Sequence, residues 1–273
     1  MFGIVETAAH PDRSRRGVDQ IEVGGMRFAR VQVPLSPRTP DWLARRRLTA
    51  AAKQLRRWGV TRAVYPEGFS YAQLFERCGI QPAEALPMYR ELAPELVSRA
   101  MEEKGLSSAS AVIAVAGDRL SAELTRAVTA LCLRNRYVQL DVPAGGEELG
   151  RSLRRSLGVP LVVTSARERL EQADVLVLFS ERPTLSLGNG VVLPLYDEEK
   201  LPPLPDLKLP GGIAEQMPPG CSRTQMMAAL WETGALRAEM VSSARNGCDA
   251  MGGAGGYAAG REPDVTVVTS PAG

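Results

Sequence analysis

The spacing of apolar residues along this chain switches repeatedly between two periods, and the switches predict its elements. In residues 21–33, Ile21 and Val23 alternate with polar neighbours, Gly24 and Gly25 supply a tight turn, and Met26 and Phe28 resume the alternation. A β-hairpin is expected there. Val31 and Val33 continue one residue out of step with Phe28, which predicts a bulge near Ala29 and Arg30. After Pro34, Pro37 and Pro40, the residues Leu48, Ala52, Leu55 and Trp58 recur at helical spacing, with Arg45, Arg46, Lys53, Arg56 and Arg57 mostly off that stripe. This predicts an amphipathic helix with a basic face.

Further on, one punctuation mark repeats: Gly59-Val60, Gly79-Ile80, Gly105-Leu106 and Gly158-Val159 each place a glycine and then an apolar residue at the end of a helical pattern. Such pairs are helix C-terminal caps, the glycine turning left-handed while the apolar residue packs back on the last turn. Strand-like runs fall between them at 61–65, 111–116, 137–142, 160–164 and 174–179. The runs at 111–116 and 174–179 are apolar throughout, the pattern of strands covered on both faces. Helical stripes intervene at Leu120, Leu124, Val128 and Leu131, at Leu149, Leu153 and Leu157, and after a capping box formed by Ser165 to Glu168. Strands alternating with helices give an α/β fold, expected as a three-layer parallel-sheet core.

Four segments are expected: an N-terminal α/β segment over 1–105 carrying the hairpin and basic helix, a core domain over 106–200, a proline-rich connector and helix over 201–245, and a glycine-rich tail over 246–273. The connector holds Pro202, Pro203, Pro205, Pro210, Pro218 and Pro219. Its helix starts at a second capping-box pattern, Ser222 to Gln225, runs through Met226, Met227, Leu230 and Trp231, and ends at Gly234. Six glycines between Gly247 and Gly260 predict a mobile stretch.

A chain of 273 residues forms one large domain or two small ones. Thirty-three basic against 31 acidic residues, a net charge of +2, and 44% hydrophobic content argue against wholesale disorder and against a nucleic-acid-binding coat. No apolar run approaches the roughly 20 residues that span a bilayer, and the N-terminus lacks the basic and apolar regions of an export signal. Cys78, Cys132, Cys221 and Cys248 show no close pairing, which disfavours a zinc ribbon or disulfide scaffold and fits the reducing cytoplasm as the expected location. His10 is the single histidine, so histidine-rich metal sites are excluded and no metal ligand set is assigned. No Gly-x-Ser-x-Gly elbow is present, which disfavours a serine triad. Acid and base chemistry would fall to carboxylates, Lys, Tyr or Cys, or to a cofactor.

Three stretches carry the functional signal: Val112-Ile113-Ala114-Val115-Ala116-Gly117-Asp118, the acid-tipped Val138-Gln139-Leu140-Asp141, and Ala173-Asp174-Val175-Leu176-Val177-Leu178. Over about residues 111–181 the chain resembles the Rossmann-type nucleotide-binding domain of dehydrogenases, shikimate dehydrogenase-like ones among them. The resemblance implies a pyrophosphate on the helix N-terminus after Gly117 and Asp118, and Asp141 against a ribose hydroxyl. An acid there repels a 2′-phosphate, so of the dinucleotides NAD is expected over NADP. With Gly117 as the first glycine of Gly-x-Gly-x-x-Gly, Arg119 stands in the second place and Ala122 in the third. Either the Arg119 guanidinium grips a phosphate directly, or Gly117-Asp118 only makes a turn and caps the next helix. Glu67, Asp118, Asp141 and Glu181 each follow a predicted strand, where acids act as Mg²⁺ ligands or general bases, and equally as ordinary loop residues.

Two functions follow. One is a nucleotide- or dinucleotide-binding protein, acting as an oxidoreductase, with its ligand over Gly117 and beside Asp141. The other is a non-enzymatic protein that keeps the scaffold and works through protein contacts. An open space beside the Gly117 turn favours the first, and Arg119 packed across it favours the second. The expected partner is a small-molecule nucleotide. The basic helix has no interleaved aromatic platform and reads as a solvated face, and no membrane partner is indicated. Met226, Met227 and Trp231 read as core or as a homo-oligomer contact.

Overall fold

In the computed structural model, which describes residues 1–8, 17–185, 188–204, 207–210 and 212–243, the chain builds two five-stranded sheets in succession. The first takes β1 (Phe2–Ala8), β2 (Val18–Val23), β3 (Met26–Pro34), α1 (Asp41–Arg57), β4 (Arg62–Val64), α2 (Ala72–Glu76) and β5 (Gln81–Pro82). Its order is β2-β3-β1-β4-β5, with β2 antiparallel and the other pairings parallel. The central strand β1 has no counterpart in the sequence reading, although Ile4 and Val5 are fully buried on opposite faces of it.

The expected hairpin forms, but the bulge does not. Register runs unbroken from Val18 opposite Val31 to Val23 opposite Met26. The apparent slip arises because both faces of β3 are covered: Phe28 packs into one core, while Ala29, Val31 and Val33 pack into another beneath α1. Alternation is intact, and the residues that seem out of step simply face opposite ways. In α1 the buried face is Ala44, Leu48, Ala51, Ala52 and Leu55, whereas Trp58, assigned to that stripe, is 44% exposed at the C-cap.

The helices α3 (Leu86–Glu91) and α4 (Ala93–Glu103) lead to the second sheet: β6 (Val112–Ala116), α5 (Ala122–Arg134), β7 (Tyr137–Asp141), α6 (Gly146–Leu157), β8 (Val162–Val163), α7 (Arg167–Glu171), β9 (Val175–Leu178) and β10 (Val191–Pro194). All its pairings are parallel, in the order β10-β9-β6-β7-β8. Counted in chain order this is 5-4-1-2-3, the Rossmann-type arrangement. Ile113, Val115, Val175 and Val177 face the core shared with α5 and α6, while Ala114, Ala116, Leu176 and Leu178 face Leu170 of α7. Helices cover both faces, which is why β6 and β9 read as unbroken apolar runs. The strand expected at 160–164 shortens to two residues, and β10 has no counterpart in the sequence reading because Val191, Val192 and Leu193 sit between turn residues.

Left-handed glycines end the helices at Gly59, Gly79, Gly105 and Gly158, with φ between 66° and 77°. The Val60, Ile80 and Leu106 amides reach back to the carbonyls of Leu55, Phe75 and Met101. The capping box at Ser165 is not formed. Ala166 occupies the N-cap of α7, and Thr164 Oγ1 accepts from its amide instead. After β11 (Leu207–Lys208) and α8 (Ile213–Gln216), α9 (Arg223–Glu232) starts at Ser222, whose hydroxyl accepts from the Gln225 amide. The Gln225 side chain accepts from the Tyr65 amide at 2.8 Å and so fastens α9 to the end of β4. Met226 and Met227 lie in the core, and Trp231 donates its indole N–H to Glu91 at 2.9 Å. A short β12 (Ser242–Ser243) pairs antiparallel with β11. His10, Cys248 and the tail over 246–273 lie outside the described residues. Among those described, no helix is long and apolar enough to cross a membrane.

Burial in α5 raises the Cys132 thiol to about 11, so it stays protonated through the neutral range. At about pH 8, iodoacetamide should leave Cys132 unlabelled in the native protein and modify it once denaturant is added, as mass spectrometry would show. Labelling of native Cys132 as fast as that of half-buried Cys78 would contradict the packing of α5.

Candidate nucleotide site

The site begins where β6 ends. Gly117 donates its amide to the Asp141 carbonyl at 3.0 Å, continuing the pairing of β6 with β7 by one residue. A Cβ at Gly117 would stand 2.6 Å from Leu124 Cδ1, the tip of a fully buried side chain, so a larger residue there would have to displace Leu124. That is the close strand-to-helix approach on which dinucleotide sites rely. The helix cap is Ser121, whose Oγ accepts from the Leu124 amide at 3.1 Å, and not the Gly117-Asp118 pair. A capped helix of 13 residues presents its remaining first-turn amides, and the positive end of its dipole, to the space above.

That space is a cleft of about 510 Å³ lined by Gly117, Asp118, Arg119, Ser121, Ala122 and Glu123 from the turn and helix, Phe179 and Ser180 beyond β9, and Arg90 and Arg126. It lies off the carboxyl ends of β6 and β9, where the strand order reverses and α/β folds of this type place ligands. Two of its three arginines are engaged. Arg90 donates to the Leu195 and Phe179 carbonyls and lies 3.4 Å from Glu123, while Arg126 donates to Glu91 at 2.6 Å. Arg119 is exposed and has no partner among the described residues. It stands in the cleft wall rather than packed across the turn. Ser180 Oγ is buried and also lacks a hydrogen-bond partner among the described residues, a state that a ligand oxygen would relieve.

Asp141 is placed differently from its expected role. Arg182, four residues beyond β9, reaches across the end of the sheet: its Nη1 donates to Asp118 Oδ1 at 3.0 Å, its Nη2 donates to the Gly117 carbonyl at 2.8 Å, and the same nitrogen lies 3.5 Å from Asp141 Oδ2. Neither Asp141 nor Arg182 lines the cleft. Thus Gly117, Asp118 and Arg119 come together at one opening, and Asp141 is held behind Arg182. Sequence reasoning missed Arg182. The signal for it was a basic residue following the strand whose end neighbours Asp118.

The other strand-end acids do not converge. Glu181 pairs with Lys200 at 3.8 Å, and Glu67 follows a strand of the other sheet, its amide bonded to the Gly220 carbonyl. Among the described residues, no three His, Cys, Asp or Glu side chains are grouped so as to hold a metal ion. For a dinucleotide the fit divides in two. The glycine-built approach, the helix N-terminus and Arg119 suit a phosphate, whereas on the ribose side Asp141 Oδ2 lies 3.5 Å from the Arg182 guanidinium.

No protein-family model matches this chain, and no curated protein matches it in sequence. Among solved structures, it is similar to L-tryptophan dehydrogenase from Nostoc punctiforme (13% identity, 73% of this chain and 65% of that one, TM-score 0.30). It is similar also to a dipicolinate synthase chain from Bacillus halodurans (14% identity, 43% and 42%, TM-score 0.28). A third is quinate dehydrogenase from Corynebacterium glutamicum in complex with NAD (12% identity, 66% and 70%, TM-score 0.27). The chain spans under half of the dipicolinate synthase chain and just under two thirds of the tryptophan dehydrogenase. Likenesses of this size carry no functional argument, and the Rossmann-type assignment rests on strand order.

Replacing Gly117 by alanine should destabilise the protein by about 1–3 kcal/mol, the usual cost of forcing a methyl into a filled space. Denaturant unfolding measures it directly. An unchanged midpoint would show that Leu124 does not hold α5 against the strand end.

Proposed function

We propose that this protein binds a phosphate-bearing nucleotide in the cleft between the ends of β6 and β9, with the phosphate on the N-terminus of α5 and the Arg119 guanidinium beside it. The observation that carries this reading is that Arg119, a cation without a partner among the described residues, lines a cleft sitting on a capped helix N-terminus at the topological switch point. The orphan Ser180 hydroxyl supports it. Binding is better supported than catalysis. The lining residues include no His, Lys, Tyr or Cys, and their only carboxylates are Asp118 and Glu123. An oxidoreductase role is the finer form of this proposal, and it would draw its redox chemistry from the ligand, the protein supplying position and electrostatics.

The non-enzymatic reading is favoured by one observation, the ion pair of Arg182 with Asp141 at 3.5 Å. The two readings separate in a thermal-shift panel of ATP, GTP, NAD and NADP with and without Mg²⁺. A ligand at 100 times its dissociation constant should add about 2.7 kcal/mol of stability. We expect stabilisation by at least one of the four and its loss in Arg119→Ala. Stabilisation by none, or a shift that survives Arg119→Ala, would overturn the assignment of the cleft.

A further inference from the structure

We infer that the exposed face of α1 is a docking surface for an anionic lipid bilayer, with Arg46, Lys53 and Arg57 against the headgroups and the Trp42 indole seated among them. This surface is independent of the nucleotide cleft.

The helix carries six cations, Arg45, Arg46, Arg47, Lys53, Arg56 and Arg57, against a single acid, Asp41. It is therefore more positive than the whole chain, whose net charge is +2, and the remainder of the chain is net acidic. Packing sorts these charges. Ala44, Leu48, Ala51, Ala52 and Leu55 bury one side of α1, and Trp42, Arg46, Lys53 and Arg57, recurring at intervals of four, seven and four, share the opposite side. All four are exposed. Arg46, Lys53 and Arg57 have no partner among the described residues. The acid of the helix is already engaged, its Oδ2 accepting from Arg45 at 2.6 Å and its Oδ1 from the Tyr71 hydroxyl at 3.0 Å.

Trp42 separates this face from a merely solvated one. It is 66% exposed, the highest value among the large hydrophobic residues described, although tryptophan is highly buried on average. Read from sequence, the helix has cations and no interleaved aromatic platform; folded, it carries an indole on the same side as its free cations. An amphipathic ring beside a cluster of cations is the pairing that suits the interface of an anionic membrane with water.

The shape of the face selects this partner over a nucleic acid. Along about 25 Å of helix the cations project one way from a convex surface, and a plane of headgroups meets them all at once. A duplex curves away from a straight helix and reaches only part of the row. Single strands are held in grooves with several stacking rings, and this face offers one ring and no groove. Because the apolar side of α1 is packed in the core, the helix lies on the bilayer rather than entering it, and binding depends on charge.

The test is co-sedimentation of the full chain with vesicles of phosphatidylcholine alone or with about 30% phosphatidylserine, at about 0.1 M and about 0.5 M salt. Wild type should bind the anionic vesicles at the lower salt, release them at the higher, and leave phosphatidylcholine alone unbound. Lys53→Glu with Arg57→Glu should weaken binding by at least about tenfold. Tryptophan emission should shift to the blue on binding in wild type and not in Trp42→Ala. If the charge-reversed protein melts early, Arg46→Gln with Lys53→Gln is read in the same way. Equal binding to both kinds of vesicle, binding to neither, or binding that survives the loss of charge overturns the inference. Tighter binding of a short single strand or duplex of nucleic acid than of the anionic vesicles overturns it as well.

Discussion

The space between Gly117 and Leu124 is the constraint from which the site follows. With no side chain at Gly117, the Leu124 side chain comes within 2.6 Å of where a Cβ would be, and residues 117–121 join β6 to α5. The Ser121 cap then falls at the mouth of the crevice, with the helix amides directed into it. Arg119, two residues before that cap, is exposed and lines the cleft wall. A Rossmann-type sheet supplies the crevice, and its charged lining comes from the turn and α5, with Arg90 from α3.

Across the same turn, Arg182 ties neighbouring strand ends together. Its bonds join the exits of three strands, β9 through its own backbone, β6 through Gly117 and Asp118, and β7 through Asp141. A partly buried arginine between two carboxylates balances charges that would otherwise repel each other at one sheet edge.

Much of the second sheet was legible because its physics is local and repetitive. Val112 to Ala116 and Val175 to Leu178 are apolar throughout, as strands covered on both faces must be, and the glycine-apolar pairs mark helix ends through a backbone geometry that other residues resist. Where one rule could be satisfied in two ways, sequence alone chose wrongly. Phe28 and Val31 appeared out of phase because two cores, not one, receive them. Ser165 had the residues of a capping box but sits one position too early, beside a helix of five residues. Gly117, Asp118 and Arg119 were legible as a turn through the spacing of a glycine motif. Arg182 was not, because its meaning lies in contacts with residues 65 and 41 positions away, which only the parallel order of β9, β6 and β7 brings together.

The central claim is that phosphate sits on the N-terminus of α5 beside Arg119. It is tested most directly by titrating inorganic pyrophosphate into isotope-labelled protein and following backbone amide resonances. Saturable shifts should be largest for the amides of Arg119, Ala122, Glu123 and Ser180, and Arg119→Ala should weaken the binding at least tenfold. Shifts centred elsewhere, or a response that does not saturate, would contradict it.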